Sequence, residues 1–281
     1  MAGVMSQSAQ RFLPVELRAD VRGWLGQWEP GDVDFVIEPP DRAVGERIGP
    51  PDFVVLGGAD AGGEWLMARI ADHPEVALNR RLVEAAHVFA PYCTAPFGPG
   101  EVACFHALFP RRSGQVIGHW SPDGLSYPWV PPLLAQSATR ARLVVLVRDP
   151  IEQLRAGLDR TVATSRPHVG SNLADAVDRG YYAQQLRWLQ RWYPKDQLLV
   201  LQYERCVADA DEVLAQVFAF LGVDDSYQAR SIGPPIEPAR DQLAPSTRQR
   251  LVEMYAADVA DLVECLPDLD LALWPNFAEA G

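Results

Sequence analysis

Hydrophobic and polar positions fall into a regular order from Pro51 onward. Residues 51–58, PDFVVLGG, make a short unbroken apolar run that ends in two glycines, the pattern of a strand buried on both faces of a parallel sheet. In the ADAGGEWLMARIADHPEV that follows, Trp65, Leu66 and Ile70 recur at helical spacing, which predicts a helix from about residue 63. RLVVLVRDP, Arg142 to Pro150, and DQLLVLQYE, Asp196 to Glu204, read as two further buried strands. Each runs into a helical pattern, IEQLRAGLDR after the first and DADEVLAQVFAFLGV after the second. The latter opens on acids and has Gly222 just past its end, as the helix dipole and a left-handed C-cap require. LADAVDRGYYAQQLRWLQRWYP predicts one long amphipathic helix closing at Pro194, and STRQRLVEMYAADVADLVECL a last one with Ser246 as N-cap. Repeated strand–turn–helix units specify an α/β fold, a central parallel sheet flanked by helices with the 53–57 strand in the middle and right-handed crossovers.

Residues 1–50 read as an irregular extension in front of a single α/β domain spanning 51–281. Leu17 to Trp28 predicts a short amphipathic helix, and the proline-rich stretch after it has no regular pattern. The four cysteines, Cys93, Cys104, Cys206 and Cys265, form no C-x-x-C pair, so neither a zinc site nor a disulfide framework is expected. No apolar run reaches the ~18 residues needed to span a bilayer, and the N-terminus lacks an uninterrupted apolar core of signal-peptide type. The expectation is a cytoplasmic protein. Alanine, arginine, glycine and proline usage suggests a GC-rich bacterial genome.

Of 281 residues, 25 are basic and 37 acidic, a formal net charge of -12. Nucleic acid and anionic membrane surfaces both call for a basic face, so neither is an expected partner. A small anion needs only a local positive pocket and remains admissible; homodimerisation is left open. Lys195 is the one lysine, every other basic residue being arginine.

The glycine-rich turn GGADAGG at the mouth of a helix suits a phosphate, because the first N–H groups of a helix are free and its dipole is positive there. It lacks both the G-x-G-x-x-G order of a dinucleotide fold and the G-K-[ST] ending of a nucleoside triphosphatase loop. Together with RLVVLVRDPIEQLRAGL, GHWSPDGLSYP and YYAQQLRWLQRWYPKDQLLVLQYERCVADADEVLAQVFAFLGV, it resembles the sulfotransferase superfamily in order and spacing over residues 51–275. The resemblance implies a single α/β domain that moves a sulfuryl group from 3′-phosphoadenosine 5′-phosphosulfate (PAPS) to a hydroxyl or amine, here of a small metabolite or natural product. It also implies that Gly57, Ala61, Gly62 and Gly63 line the 5′-phosphosulfate loop and that Arg148 meets the 3′-phosphate.

Several positions depart from the family pattern. Where the family loop reads Gly-x-x-Lys-x-Gly-Thr-Thr, this chain has Asp60 for the lysine and Gly63 and Glu64 for the two threonines; Ala156 stands for the serine of the 3′-phosphate segment. One ion pair at about 4 Å is worth up to ~4 kcal/mol at an effective dielectric near 20, and an aspartate replaces that attraction with repulsion. The helix dipole returns only about 0.3–1 kcal/mol. His119 falls where the resemblance puts a general base, and an imidazole keeps that capacity. His119, Asp60 and Glu64 are therefore the candidate acid/base groups, and Trp120, Tyr127 and Trp129 the candidate walls of an acceptor pocket. His73 reads as structural, as do Trp65, Trp188 and Trp192, which fall at core spacing. Three functions compete: PAPS-dependent sulfuryl transfer, PAPS-independent acid/base chemistry on a small metabolite, and non-catalytic binding.

Overall fold

A computed structural model describes residues 37–278 except for 58, 78, 84, 164–168 and 231–242. Five strands form one wholly parallel sheet: β1 (Phe53–Leu56), β2 (Val76–Ala77), β3 (Val116–Ser121), β4 (Arg142–Val147) and β5 (Leu198–Gln202), in the order β2-β3-β1-β4-β5. β1 is central, with Phe53 opposite Gly118 of β3 on one side and Arg142 of β4 on the other. The short apolar runs leave no exposed face. Val54, Leu56, Ile117, Leu143 and Val145 point to one side, and Phe53, Val55, Trp120, Val144 and Leu146 to the other.

Nine α-helices cover the two faces among the described residues. On the second face lie α1 (Gly63–Ala71), α7 (Tyr203–Ala208) and α8 (Ala210–Leu221). The first face carries α2 (Pro99–Ala107), α3 (Val130–Ser137), α4 (Pro150–Ala163), α6 (Tyr182–Leu189) and α9 (Pro245–Cys265), with α5 (Val169–Asp178) packed beside α4. From β1 the chain leaves toward β2 over one face, and from β4 toward β5 over the other. The carboxyl ends of β1 and β4 therefore flank the topological switch point, where open α/β sheets bind ligands.

The three strands read from the sequence are present and parallel. The apolar pattern does not predict β2 and β3, since two residues and the mixed VIGHWS are too short or too polar to read as buried strands. Gly222 caps α8 with φ of 75°, and Asp209 closes its other end by accepting from the Glu212 N–H at 3.2 Å. The predicted long helix before Pro194 is instead two, α5 and α6, parted at Arg179–Gly180. Gly180 lies against the buried ring of Tyr255, where a Cβ would fall 2.7 Å from Cε1. Ser246 does not cap α9. The N-cap is Ala244 and Pro245 fills the first helical position, where a missing N–H is harmless. Trp192 is 43% exposed rather than core, while His73 is buried as expected, between the Asp224 carbonyl at 2.9 Å and the Glu75 N–H at 3.0 Å. Of the N-terminal stretch, Arg47 bridges Arg111 through paired backbone hydrogen bonds of 2.9 Å. The predicted helix at 17–28 lies outside the described residues, as does His168.

If Tyr255 sets the break between α5 and α6, Gly180→Ala destabilises the protein by about 1–3 kcal/mol, because the ring it meets is fully buried. Urea unfolding checks this; an unchanged midpoint would assign the break to another cause.

Candidate active site

The glycine turn leaves β1 at Gly57, whose φ of 142° admits little but glycine, and re-enters helix at Gly63 after Gly62 at φ 89°. Both flanking glycines are tightly enclosed. A Cβ on Gly62 would lie 2.9 Å from the Tyr203 ring, and one on Gly63 2.6 Å from the Gly57 carbonyl oxygen and 2.7 Å from Trp120 Nε1. That indole donates to the Gly57 carbonyl at 3.3 Å. Ala61 is buried, Asp60 is 9% exposed and Glu64 is exposed. The Asp60 carboxylate faces α4, 3.2 Å from the place of a Cβ on Gly157.

Arg148 follows β4 and closes the switch point. Its guanidinium donates to the Asp60 carbonyl at 2.7 Å and lies 4.6 Å over the Tyr203 ring, and it is 6% exposed. The neighbouring groups hold it there. Its own N–H donates to the Tyr182 hydroxyl at 3.2 Å. Asp149 caps α4 by accepting from the Ile151 N–H at 2.9 Å, and it also accepts from the Asn276 side chain at 2.9 Å. Glu204 accepts from the Asp149 N–H at 3.0 Å and from Trp274 Nε1 at 2.9 Å. Burial raises both acids, Asp149 and Glu204, above the ordinary carboxylate range.

His119 stands elsewhere. Its ring is fully buried on the face of the sheet opposite Trp120, edge-on to Phe89, Phe105 and Phe109 at 6.2, 5.4 and 5.8 Å. Neither ring nitrogen has a hydrogen-bond partner. Desolvation, with a smaller contribution from His87, lowers its pKa to about 3. The expectation of a base shared between loop and acceptor is corrected in this conformation: alternation along β3 turns His119 away from the side chain that touches the turn. Trp120 likewise does not share a wall with Tyr127 and Trp129. Those two stack at 4.7 Å and are half-buried, whereas Trp120 is 6% exposed beneath the glycine turn.

A second histidine, without a visible partner in sequence, does meet one here. His87 Nδ1 is hydrogen-bonded to Asp123 Oδ2, just past the end of β3. The other oxygen of Asp123 accepts from Arg179 at 3.2 Å, and Arg179 also holds Asp175 at 3.0 Å. The Asp123 side chain is 4% exposed while that of His87 is 59% exposed. The hydrogen bond to Asp123 raises the His87 pKa. Because Nδ1 carries the proton toward Asp123, Nε2 is the basic nitrogen of the neutral ring. Tyr127 borders the group, its pKa raised by burial and then by Asp123 and Asp175. A turn at Gly124 seats the cluster directly on the end of β1, since a Cβ there would meet Leu56 at 2.3 Å. Among the described residues no three His, Cys, Asp or Glu side chains are arranged to hold a metal ion, and no helix is long and apolar enough to cross a membrane. The cavity of about 510 Å³ along the free edge of β5 is lined by none of His87, Asp123, Arg148 and Arg179.

Residues 126–227 match the sulfotransferase family model, a stretch that includes Tyr127, Trp129, Arg148 and Arg179 and begins beyond the glycine turn. The chain is 26% identical over 215 residues to mouse heparan sulfate glucosamine 3-O-sulfotransferase 3A1, covering 71% of this chain and 51% of that one. It is 25% identical over 189 residues to the human 3B1 enzyme of the same name, covering 62% and 46%. The chain thus spans about half the length of the curated relatives it matches. The crystal structure of a sulfotransferase from Alicyclobacillus acidocaldarius superposes with a TM-score of 0.65 at 18% identity, over 79% of this chain and 98% of that one.

The turn carries Asp60, Gly63 and Glu64 where the resemblance expects a lysine and two threonines, so its side chains do not fit a 5′-phosphosulfate gripped in the superfamily's manner. Trp120 Nε1 and the Gly57 carbonyl crowd the Cβ position of Gly63, and one N–H of Arg148 is given to the Asp60 carbonyl.

Two unsatisfied polar nitrogens in an aromatic cage are destabilising by about 1–3 kcal/mol each. His119→Leu should therefore raise the unfolding free energy at pH 7 by about that amount. The folded chain also refuses the proton that the unfolded chain takes up below pH 6.5, so wild-type stability falls by about 1.4 kcal/mol per pH unit from 6.5 toward about 3. The leucine variant should lack that slope in urea titrations across pH. A less stable variant would mean that the ring has partners in solution.

Proposed function

We propose that this chain, a sulfotransferase-superfamily protein by its fold and by the match of residues 126–227, transfers a sulfuryl group to a hydroxyl or amine of a small molecule, with His87 as general base. The observation that carries the reading is the His87–Asp123–Arg179 series beside the switch point: an exposed imidazole backed by a buried carboxylate that is itself held by a guanidinium. In the reaction the acceptor O–H or N–H gives its proton to His87 Nε2 while its oxygen or nitrogen attacks sulfur. The S–O bond to the donor's leaving group breaks, and the leaving group departs with the electron pair. Asp123 stabilises the imidazolium formed, and solvent takes the proton from the exposed ring. The stacked Tyr127 and Trp129 suit an aromatic or planar acceptor. The curated relatives are named for heparan sulfate glucosamine, but a net charge of -12 disfavours a long polyanionic acceptor here.

The donor proposed is a sulfate ester other than PAPS, because Asp60, Gly63 and Glu64 supply neither the cation nor the hydroxyls that would hold a 5′-phosphosulfate at the turn. Asp60 and Glu64 favour a second reading, in which the fold carries acid/base chemistry on a small metabolite without any sulfuryl donor.

The test presents a panel of phenols, alcohols and amines with p-nitrophenyl sulfate or PAPS as donor and reads SO₃ transfer by mass spectrometry. Transfer should occur with the aryl sulfate and drop ~10²–10⁴-fold in His87→Gln. The rate should rise with pH through a pKa above 6.5, and Asp123→Asn should move that limb to lower pH while slowing turnover. Undiminished transfer in both variants would remove His87 from the mechanism. No transfer from either donor would turn the assignment to the second reading.

A further inference from the structure

The amino end of the sheet holds a second concentration of charge, of the opposite sign to the molecule as a whole. A cavity of about 700 Å³ opens there between the starts of β1, β3 and β4, lined by Arg47, Arg111, Arg140 and Arg142 and by His106. Asp52 is the one carboxylate in its wall, and both of its oxygens are used. Oδ1 accepts from Arg111 at 3.0 Å and Oδ2 from the Ile117 N–H at 2.9 Å. Arg111 is 3% exposed and fixed by Asp52 and by the Phe109 carbonyl at 3.2 Å. Desolvation, followed by the pull of Asp52 and the push of Arg47, leaves its pKa lowered. The backbone bridge between Arg47 and Arg111 pins their two segments together at this mouth. Arg47, Arg140 and Arg142 are exposed and make no ion pair with a carboxylate among the described residues. Arg142 lies 6.0 Å over the Phe220 ring near the carboxyl end of α8, where a cation is favourable, and its N–H groups remain available.

Four arginines line the cavity against one carboxylate, and since Arg111 is paired with it, three positive charges stand uncompensated there, a positive well in a protein of net charge -12. Such a well is maintained against the mutual repulsion of its walls, and a bound anion would relieve that repulsion. Guanidiniums on three different segments match the planar, multidentate geometry of phosphate and sulfate oxygens. The volume lies within the range of small-ligand sites and exceeds what one inorganic ion fills. We propose that this cavity is a binding site for a small polyanion bearing at least two phosphate or sulfate groups. Strands of four to six residues separate it from the carboxyl-end cluster by roughly 13–20 Å, so it is distinct from the proposed transfer site and does not depend on that assignment.

Isothermal titration with inorganic pyrophosphate and with orthophosphate tests this on the full chain. Pyrophosphate should bind saturably and at least tenfold more tightly than orthophosphate, and more weakly as sodium chloride rises. The Arg140→Gln/Arg142→Gln double variant changes only exposed residues, so it should unfold cooperatively with a melting temperature only slightly lowered by the lost cation at the end of α8, while pyrophosphate affinity falls at least tenfold. Arg205→Gln, an exposed arginine of α7 at the opposite end of the sheet, should bind like the wild type. Any of three results overturns the proposal: no saturable heat up to 10 mM pyrophosphate, unchanged affinity in the double variant, or loss of binding in Arg205→Gln.

Discussion

The contact of Trp120 with the glycine turn constrains everything at the carboxyl end of the sheet. β1 can hand the chain to α1 only through a turn so tight that Gly57 and Gly62 take positive φ and Gly63 leaves no room for a side chain. The indole then closes the turn from below with a hydrogen bond to Gly57, and Arg148 closes it from the β4 side through the Asp60 carbonyl. In a sheet whose switch point lies between β1 and β4, this is where a ligand would be received. One positive group that a phosphate would want, the Arg148 guanidinium, gives an N–H to the protein's own main chain, and the side chain at the turn's centre, Asp60, is an acid.

The charge that remains free has moved to either side. At the end of β3, Asp123 joins His87 to Arg179, and its burial makes the coupling strong: one oxygen sets the tautomer of an exposed ring and the other anchors a guanidinium. Around Arg148, Asp149, Glu204, Asn276 and Trp274 form a satisfied polar network that ties the C-terminal segment to the start of α4. These two systems are built differently. The network has nearly every atom partnered and so acts as structure. In the series, the His87 side chain is largely exposed, and its Nε2 is not the nitrogen bound to Asp123.

The parallel sheet was legible because three strands are pure apolar runs and each is followed by helical spacing. What could be read at the loop was chemical identity: an aspartate where a cation is wanted and glycines in place of hydroxyls. Direction was harder to read. Period-two alternation along VIGHWS sends His119 and Trp120 to opposite faces, so a histidine that occupies a catalytic position in a linear comparison sits in a cage of phenylalanines. His87 and Asp123 are 36 positions apart in irregular segments, and only the placement of β3 beside β1 brings them together. No spacing rule links them. The split between α5 and α6 was hidden for the same reason, since the ring that requires Gly180 belongs to a helix more than seventy residues away.

Calorimetry of the wild-type chain with adenosine 3′,5′-bisphosphate, the nucleotide product common to PAPS-dependent transfer, tests most directly whether the turn still receives that donor. A turn with Asp60, Gly63 and Glu64 in place of a cation and two hydroxyls predicts no saturable heat at millimolar nucleotide. A dissociation constant of about 10 μM or below, equivalent to roughly 7 kcal/mol of binding, would contradict it and return the turn to the superfamily's use.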